Sequence, residues 1–133
     1  VELNNLSARV EIIKGDFRNI IETKSFNKGS FSLVISNPPY TKHTSGRMSP
    51  SPEKRAANME IACSLNDLIK VSRDLVDRDG RICYIYPVSR LQEMLSAIRD
   101  NSLEIIRLKF VYPKTDGRVK RFLIEAARRE YSI

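Results

Sequence analysis

The sequence predicts an α/β fold, a mostly parallel sheet finished by an antiparallel C-terminal hairpin, and three observations carry that expectation. Short apolar runs bounded by turn residues alternate with segments of helical apolar spacing. The last two strand-like runs flank one turn-rich stretch instead of a helix. The 133 residues, 41% of them apolar, suffice for one core and one domain.

Taken in order, Arg9 to Lys14 alternates in polarity and stops at Gly15-Asp16, which reads as a strand running into a turn. Phe31 to Ser36 is a short apolar run between Gly29 and Asn37-Pro38-Pro39, suited to a strand buried on both faces. Residues 41–58 are rich in Ser, Pro and basic side chains without apolar period, and read as a mobile basic loop. Ile61, Leu65, Leu68, Ile69, Leu75 and Val76 then follow helical spacing, ended by Asp79-Gly80.

Arg81 to Tyr86 reads as a second buried strand stopped by Pro87, with Tyr84 and Tyr86 as packing residues. Ser89 and Gln92 form a capping-box pattern, and the helix they open places Leu91, Met94, Leu95 and Ile98 on one face. Glu104 to Tyr112 and Arg121 to Ala127 flank the turn residues Pro113 to Arg118 as a long hairpin.

Charge narrows the function. The chain carries a net +7, and residues 107–129 hold eight Lys and Arg against two acids. A second basic group, Lys42, Arg47, Lys54 and Arg55 against Glu53, lies in the 41–58 loop. Clustered cations of this kind hold a polyanion by displacing its counterions, which makes nucleic acid a natural partner. No apolar run reaches the roughly 20 residues of a membrane helix. Cys63 and Cys83 fall in apolar-periodic stretches, as reduced buried thiols do, which suits a cytoplasmic protein. The start, Val1-Glu2-Leu3-Asn4-Asn5, is neither a signal peptide nor an initiation site, so the chain reads as part of something longer.

The chemistry is carried by Asn37, Pro38, Pro39 and Tyr40, directly after a strand, where α/β sheets present ligand sites at their carboxyl ends. The lone pair of an exocyclic amine on a base is delocalised into the ring, and attack on a sulfonium methyl requires that nitrogen to pyramidalise. Acceptors around the amino hydrogens favour that geometry. The Asn37 side-chain oxygen and the Pro38 carbonyl can be those acceptors. Two consecutive prolines fix φ and remove competing donors, and Tyr40 offers a face on which the base stacks.

On these residues the chain resembles the amino-methyltransferases with an Asn-Pro-Pro-Tyr signature, and most closely the bacterial family that methylates an adenine amine in the anticodon loop of valine tRNA. The resemblance covers Val1 to Leu6, Gly15-Asp16, Asn37 to Tyr40, Ala57 to Leu68, Gly80 to Pro87 and the hairpin. It implies a partial Rossmann-like class I methyltransferase sheet with strand order 3-2-1-4-5-7-6, of which this chain holds strands 3 to 7. It also implies S-adenosyl-L-methionine as cofactor, with Asp16 contacting its adenine and Phe17 stacking beside it. The family often has Ala-Arg-His-Glu after the loop, where this chain has Ala57-Asn58-Met59-Glu60.

The family's glycine-rich cofactor loop and ribose-binding acid have no counterpart here, because Gly15, Gly29, Gly46, Gly80 and Gly117 are all isolated. Both would lie before Val1, so the expectation for these residues is a C-terminal part of one catalytic domain that binds the cofactor weakly or not at all. Without strands 1 and 2, Arg9 to Lys14 stands about 9 to 10 Å from the next strand. A strand-swapped or edge-paired homodimer is one way to close that gap.

The expected activity is methyl transfer to the adenine amine in RNA, with Lys42, Arg47, Lys54, Arg55, Lys114, Arg118, Lys120 and Arg121 holding the RNA. Protein-glutamine methylation on a release factor suits the same four residues, because a side-chain amide is also a conjugated amine. DNA adenine methylation fits the signature but leaves no room for a target-recognition domain. A catalytically inactive RNA-binding fragment is the non-enzyme alternative. His43, the single histidine, reads as a solvated or RNA-contacting side chain, since the methylated amine can lose its proton to water. No metal site is expected.

Overall fold

The computed structural model describes residues 4–23, 26–38, 64–114 and 117–129. Four strands, β1 (Phe31–Ser36), β2 (Val76–Pro87), β3 (Leu103–Val111) and β4 (Arg121–Arg128), form one sheet in the order β1-β2-β4-β3. β1 and β2 run parallel, and the β2–β4 and β4–β3 pairings are antiparallel. Among the described residues the helices are α1 (Ile20–Thr23), α2 (Leu65–Leu75) and α3 (Leu91–Asp100).

The core follows from strand alternation. On β2, Ile82, Tyr84 and Tyr86 point one way and are buried, and their partners on β4, Ala126, Ile124 and Phe122, are buried with them. Leu65 and Ile69 of α2 and Met94 and Ile98 of α3 close over that face in a single cluster. Leu91 and Leu95 pack at its margin, so the expected apolar face of this helix is the observed one. The opposite face carries Leu33, Ile35, Cys83, Ile85 and Leu123, crossed by an ionic row in which Arg81 and Arg107 flank Glu125 at 3.5 and 3.3 Å.

Four expectations are corrected. Residues 9–14 form no strand; Val10 and Ile12 are exposed, and no described strand pairs with this segment, without which a ladder cannot form. β1 has the expected bounds but is not buried on both faces, since Leu33 is 50% and Ile35 71% exposed.

α2 ends at Leu75, and Val76 to Gly80 already belong to β2. Gly80 therefore stops no helix. It sits where an added Cβ would lie 2.8 Å from the Ser32 carbonyl of β1 and 2.6 Å from Cγ2 of Val76.

The Ser89–Gln92 box is also absent. Ser89 lies in the 3-10 turn Val88–Arg90, and Arg90 precedes α3 with no side-chain cap bond. Arg90 instead bonds Glu93, with Nε donating to Oε2 at 2.9 Å. A capping box does form before α2, where the Ser64 hydroxyl accepts from the Asp67 amide and the Asp67 carboxylate accepts from the Ser64 amide, both at 3.1 Å.

Tyr84 and Tyr86 are core residues as expected, and burial pushes the Tyr84 phenol well above its ordinary pKa. Cys83 is a free, half-buried thiol, likewise raised by burial; Cys63 lies outside the described residues. No helix among the described residues is long and apolar enough to cross a membrane.

Candidate active site

β1 delivers Asn37 and Pro38 to the carboxyl edge of the sheet. Its last residue, Ser36, pairs with Tyr84, and the chain leaves β1 in the direction in which β2 continues to Pro87. Asn37 is exposed at that edge and Pro38 is buried, so the second residue anchors the first. Pro39, Tyr40 and the basic residues Lys42, Arg47, Lys54 and Arg55 lie outside the described residues, as does the whole 41–58 segment.

The hairpin reaches the same edge. Pro87 of β2 pairs with Arg121 at the start of β4, and Arg121 pairs with Val111 at the end of β3. The turn carrying Lys114, Arg118 and Lys120 must therefore project from the edge at which Asn37 stands. A further bond, from the Val88 amide to the Lys120 carbonyl at 3.1 Å, ties the hairpin base to the turn after β2. With neighbouring strands about 4.8 Å apart, β4 lies about 10 Å across the sheet from β1. The sequence separates Asn37 from Arg121 by more than eighty positions, and the ladder brings them to one rim.

Asp16 and Phe17 do not join this ladder. Asp16 caps the 3-10 turn Phe17–Asn19, where its Oδ1 accepts from the Arg18 amide at 3.0 Å. The Arg18 guanidinium also bonds both carboxylate oxygens, with Nε 2.9 Å from each. These bonds hold the Asp16 carboxyl down at about 2, so it is ionised at neutral pH. Phe17 follows it, half-buried.

Arg90 is the rim residue that sequence reasoning missed. It sits just past Pro87, with its guanidinium 5.0 Å from the centroid of Tyr86, and Tyr86 meets Phe122 edge-on at 6.4 Å. The i,i+3 pairing with Glu93 was the available signal, obscured by the Ser89–Gln92 pattern that overlaps it.

This arrangement has relatives. The chain is 29% identical over 90% of its length to a tRNA1(Val) (adenine(37)-N6)-methyltransferase of Parabacteroides distasonis, covering 53% of that protein. The chain thus spans about half the length of the curated relatives it matches.

Among solved structures, a predicted O-methyltransferase from Agrobacterium tumefaciens superposes with a TM-score of 0.64 at 19% identity, over 98% of this chain and 56% of that one. A geranyl diphosphate C-methyltransferase from Streptomyces coelicolor, solved with S-adenosyl-L-homocysteine, superposes at 0.63 and 16% identity, over 96% and 55%. Both share the fold, a partial Rossmann-like α/β sheet. The Eco57I restriction-modification methylase family matches residues 2–114, most of the chain, and the chain belongs to that family.

Proposed function

We propose that the intact protein transfers a methyl group from S-adenosyl-L-methionine to the exocyclic amine of adenine in RNA, with tRNA as the substrate class, in the cytoplasm. The observation that carries this reading is the common rim, where Asn37 and Pro38 leave β1 at the same edge of the sheet as the basic turn between β3 and β4. The family and the activity for which the tRNA-modifying relatives are named support it.

In this reading the Asn37 oxygen and the Pro38 carbonyl accept from the two amino hydrogens and favour a pyramidal nitrogen. Burial of Pro38 fixes where that carbonyl starts from. Tyr40 stacks on the base, and Lys42, Arg47, Lys54, Arg55, Lys114, Arg118, Lys120 and Arg121 hold the RNA backbone. The target base has to leave its stack to reach the rim, so a loop is a better substrate than a duplex.

The described residues fit one end of the cofactor. Asp16 is an exposed, ionised acceptor beside the Phe17 ring, which suits an adenine amine and its π-face, and such a donor would take over a site Arg18 now fills. Among the described residues the methionine end finds no cradle. Nothing lies within 4 Å of a Cβ on Gly15, and the tight contacts at Gly80 come from β1 and its own strand. The cofactor supplies the sulfonium methyl when bound; the residues of this chain supply the seat for the amine. By itself this stretch binds the cofactor weakly or not at all, and because β1 pairs on one side only among the described residues, an edge-paired homodimer is its accompanying proposal.

Incubating the intact protein with methyl-labelled S-adenosyl-L-methionine and either bulk tRNA or a release factor tests the assignment. Label in tRNA is the expected result. Label in the release factor alone would replace adenine by a glutamine amide as the acceptor.

A further inference from the structure

We propose that Phe110 and Tyr112, at the edge-strand end of the hairpin, form a two-ring stacking platform for single-stranded RNA bases flanking the target adenine. The inference rests on the RNA reading above and adds a site to it.

β3 is the outer strand of the sheet, paired on one side only by β4 among the described residues. Phe110 pairs with Phe122 and Phe122 with Tyr86, so an aromatic row runs across the sheet from Arg90, stacked on Tyr86, out to Phe110. The inner members, Tyr86 and Phe122, are buried, whereas Phe110 remains 43% exposed. Tyr112 follows two residues later and is 63% exposed. β3 ends at Val111, and a chain that continues extended for one residue more sets the Tyr112 side chain on the Phe110 side, about 6.7 Å further along. On the same face Leu103 and Leu108 join the core, and Phe110, next after Leu108, ends that row with part of its ring in solvent.

Charge decides what the rings meet. Residues 112–121 contain Lys114, Arg118, Lys120 and Arg121 against the single acid Asp116, so a polyanion is favoured over an apolar protein segment. Flat rings next to cations are what single-stranded nucleic acid requires, since each base offers a π-face and each nucleotide a phosphate. The rings also lie on the rim that holds Asn37, three strand spacings or about 15 Å away, which is within reach of a neighbouring nucleotide of one RNA strand.

The test is the binding of a fluorescently labelled single-stranded oligoribonucleotide to the whole chain, compared with Tyr112→Ala, Tyr112→Leu and Tyr112→Phe, followed across salt concentration. Tyr112 is exposed, so these variants leave the core intact; Phe110→Ala is the companion. We expect about tenfold weaker binding for Tyr112→Ala and Tyr112→Leu, and wild-type affinity for Tyr112→Phe. The salt dependence should stay unchanged, because no phosphate contact is removed. Wild-type affinity in Tyr112→Ala, with binding still lost on Lys120→Ala, would overturn the platform and leave the RNA reading standing. Failure of the wild-type chain to bind any RNA would overturn both. A change in self-association with RNA affinity unaltered would make the rings a protein contact instead.

Discussion

The Arg18 guanidinium holds the Asp16 carboxyl at about 2, against an ordinary value of 3.8. A carboxyl depressed on folding contributes stability that is present above its unfolded value and lost as pH falls through the folded one. For Asp16 that window runs from about 3.8 down to about 2. Carboxyl chemical shifts followed by NMR should titrate at the low end, and Arg18→Ala should return the midpoint toward 3.8. A midpoint unmoved by Arg18→Ala would mean that something else holds the charge.

At this scale the sequence was legible where chemistry is local. Asn37-Pro38 follows a strand as its residues require. Gly15-Asp16 was readable as a turn, and the bonds of Asp16 to the Arg18 amide and guanidinium make it the cap of that turn. For Arg90 only the i,i+3 pairing with Glu93 was legible, because the ring it lies over, Tyr86, is brought under it by the fold.

Among the elements, the hairpin was the most readable. Its strands, Leu103–Val111 and Arg121–Arg128, lie within one residue of the bounds set by apolar alternation and by the turn residues Pro113 to Arg118. The failures have physical causes. Arg9 to Lys14 alternates like a strand, but alternation reports a half-buried surface and cannot provide a neighbour for its ladder. Val76 extended the helical spacing of α2 by chance, since a residue at the start of a buried strand is apolar for its own reason.

Gly80 looked like a helix stop and is instead a close approach between strands. Gly80→Ala would set a Cβ 2.8 Å from the Ser32 carbonyl, and backbone cannot yield as a side-chain tip does. We expect a loss of about 1–3 kcal/mol in denaturant unfolding, the ordinary scale of overpacking. A fully stable Gly80→Ala protein would show that β1 is free to move away from β2.

Across the whole molecule, one ladder converts distant sequence into a single rim. The parallel β1–β2 pairing and the antiparallel hairpin aim Asn37 and the basic turn in the same direction. The basic cluster at 107–129 was visible in the sequence as charge, and its place beside the signature was not, because strand order is a long-range property. If Lys120 and Arg121 hold phosphates, replacing either with Ala should weaken RNA binding uniformly across sequences. Each replacement should also lower the slope of log affinity against log salt by about 0.7, the single-strand value per phosphate. A slope that does not change on replacement would remove the hairpin from the RNA interface.

The most direct measurement is nucleoside analysis by mass spectrometry of tRNA methylated by the intact protein, beside its Asn37→Ala variant, with RNA binding measured on both. Asn37 is exposed, so the variant should fold and bind RNA as before. The account predicts N6-methyladenosine from the wild type and a rate lower by about 100- to 1000-fold from Asn37→Ala, the scale set by losing one positioned polar contact to the reacting centre. Equal yields of N6-methyladenosine from both proteins would contradict the assignment of the rim as the amine site.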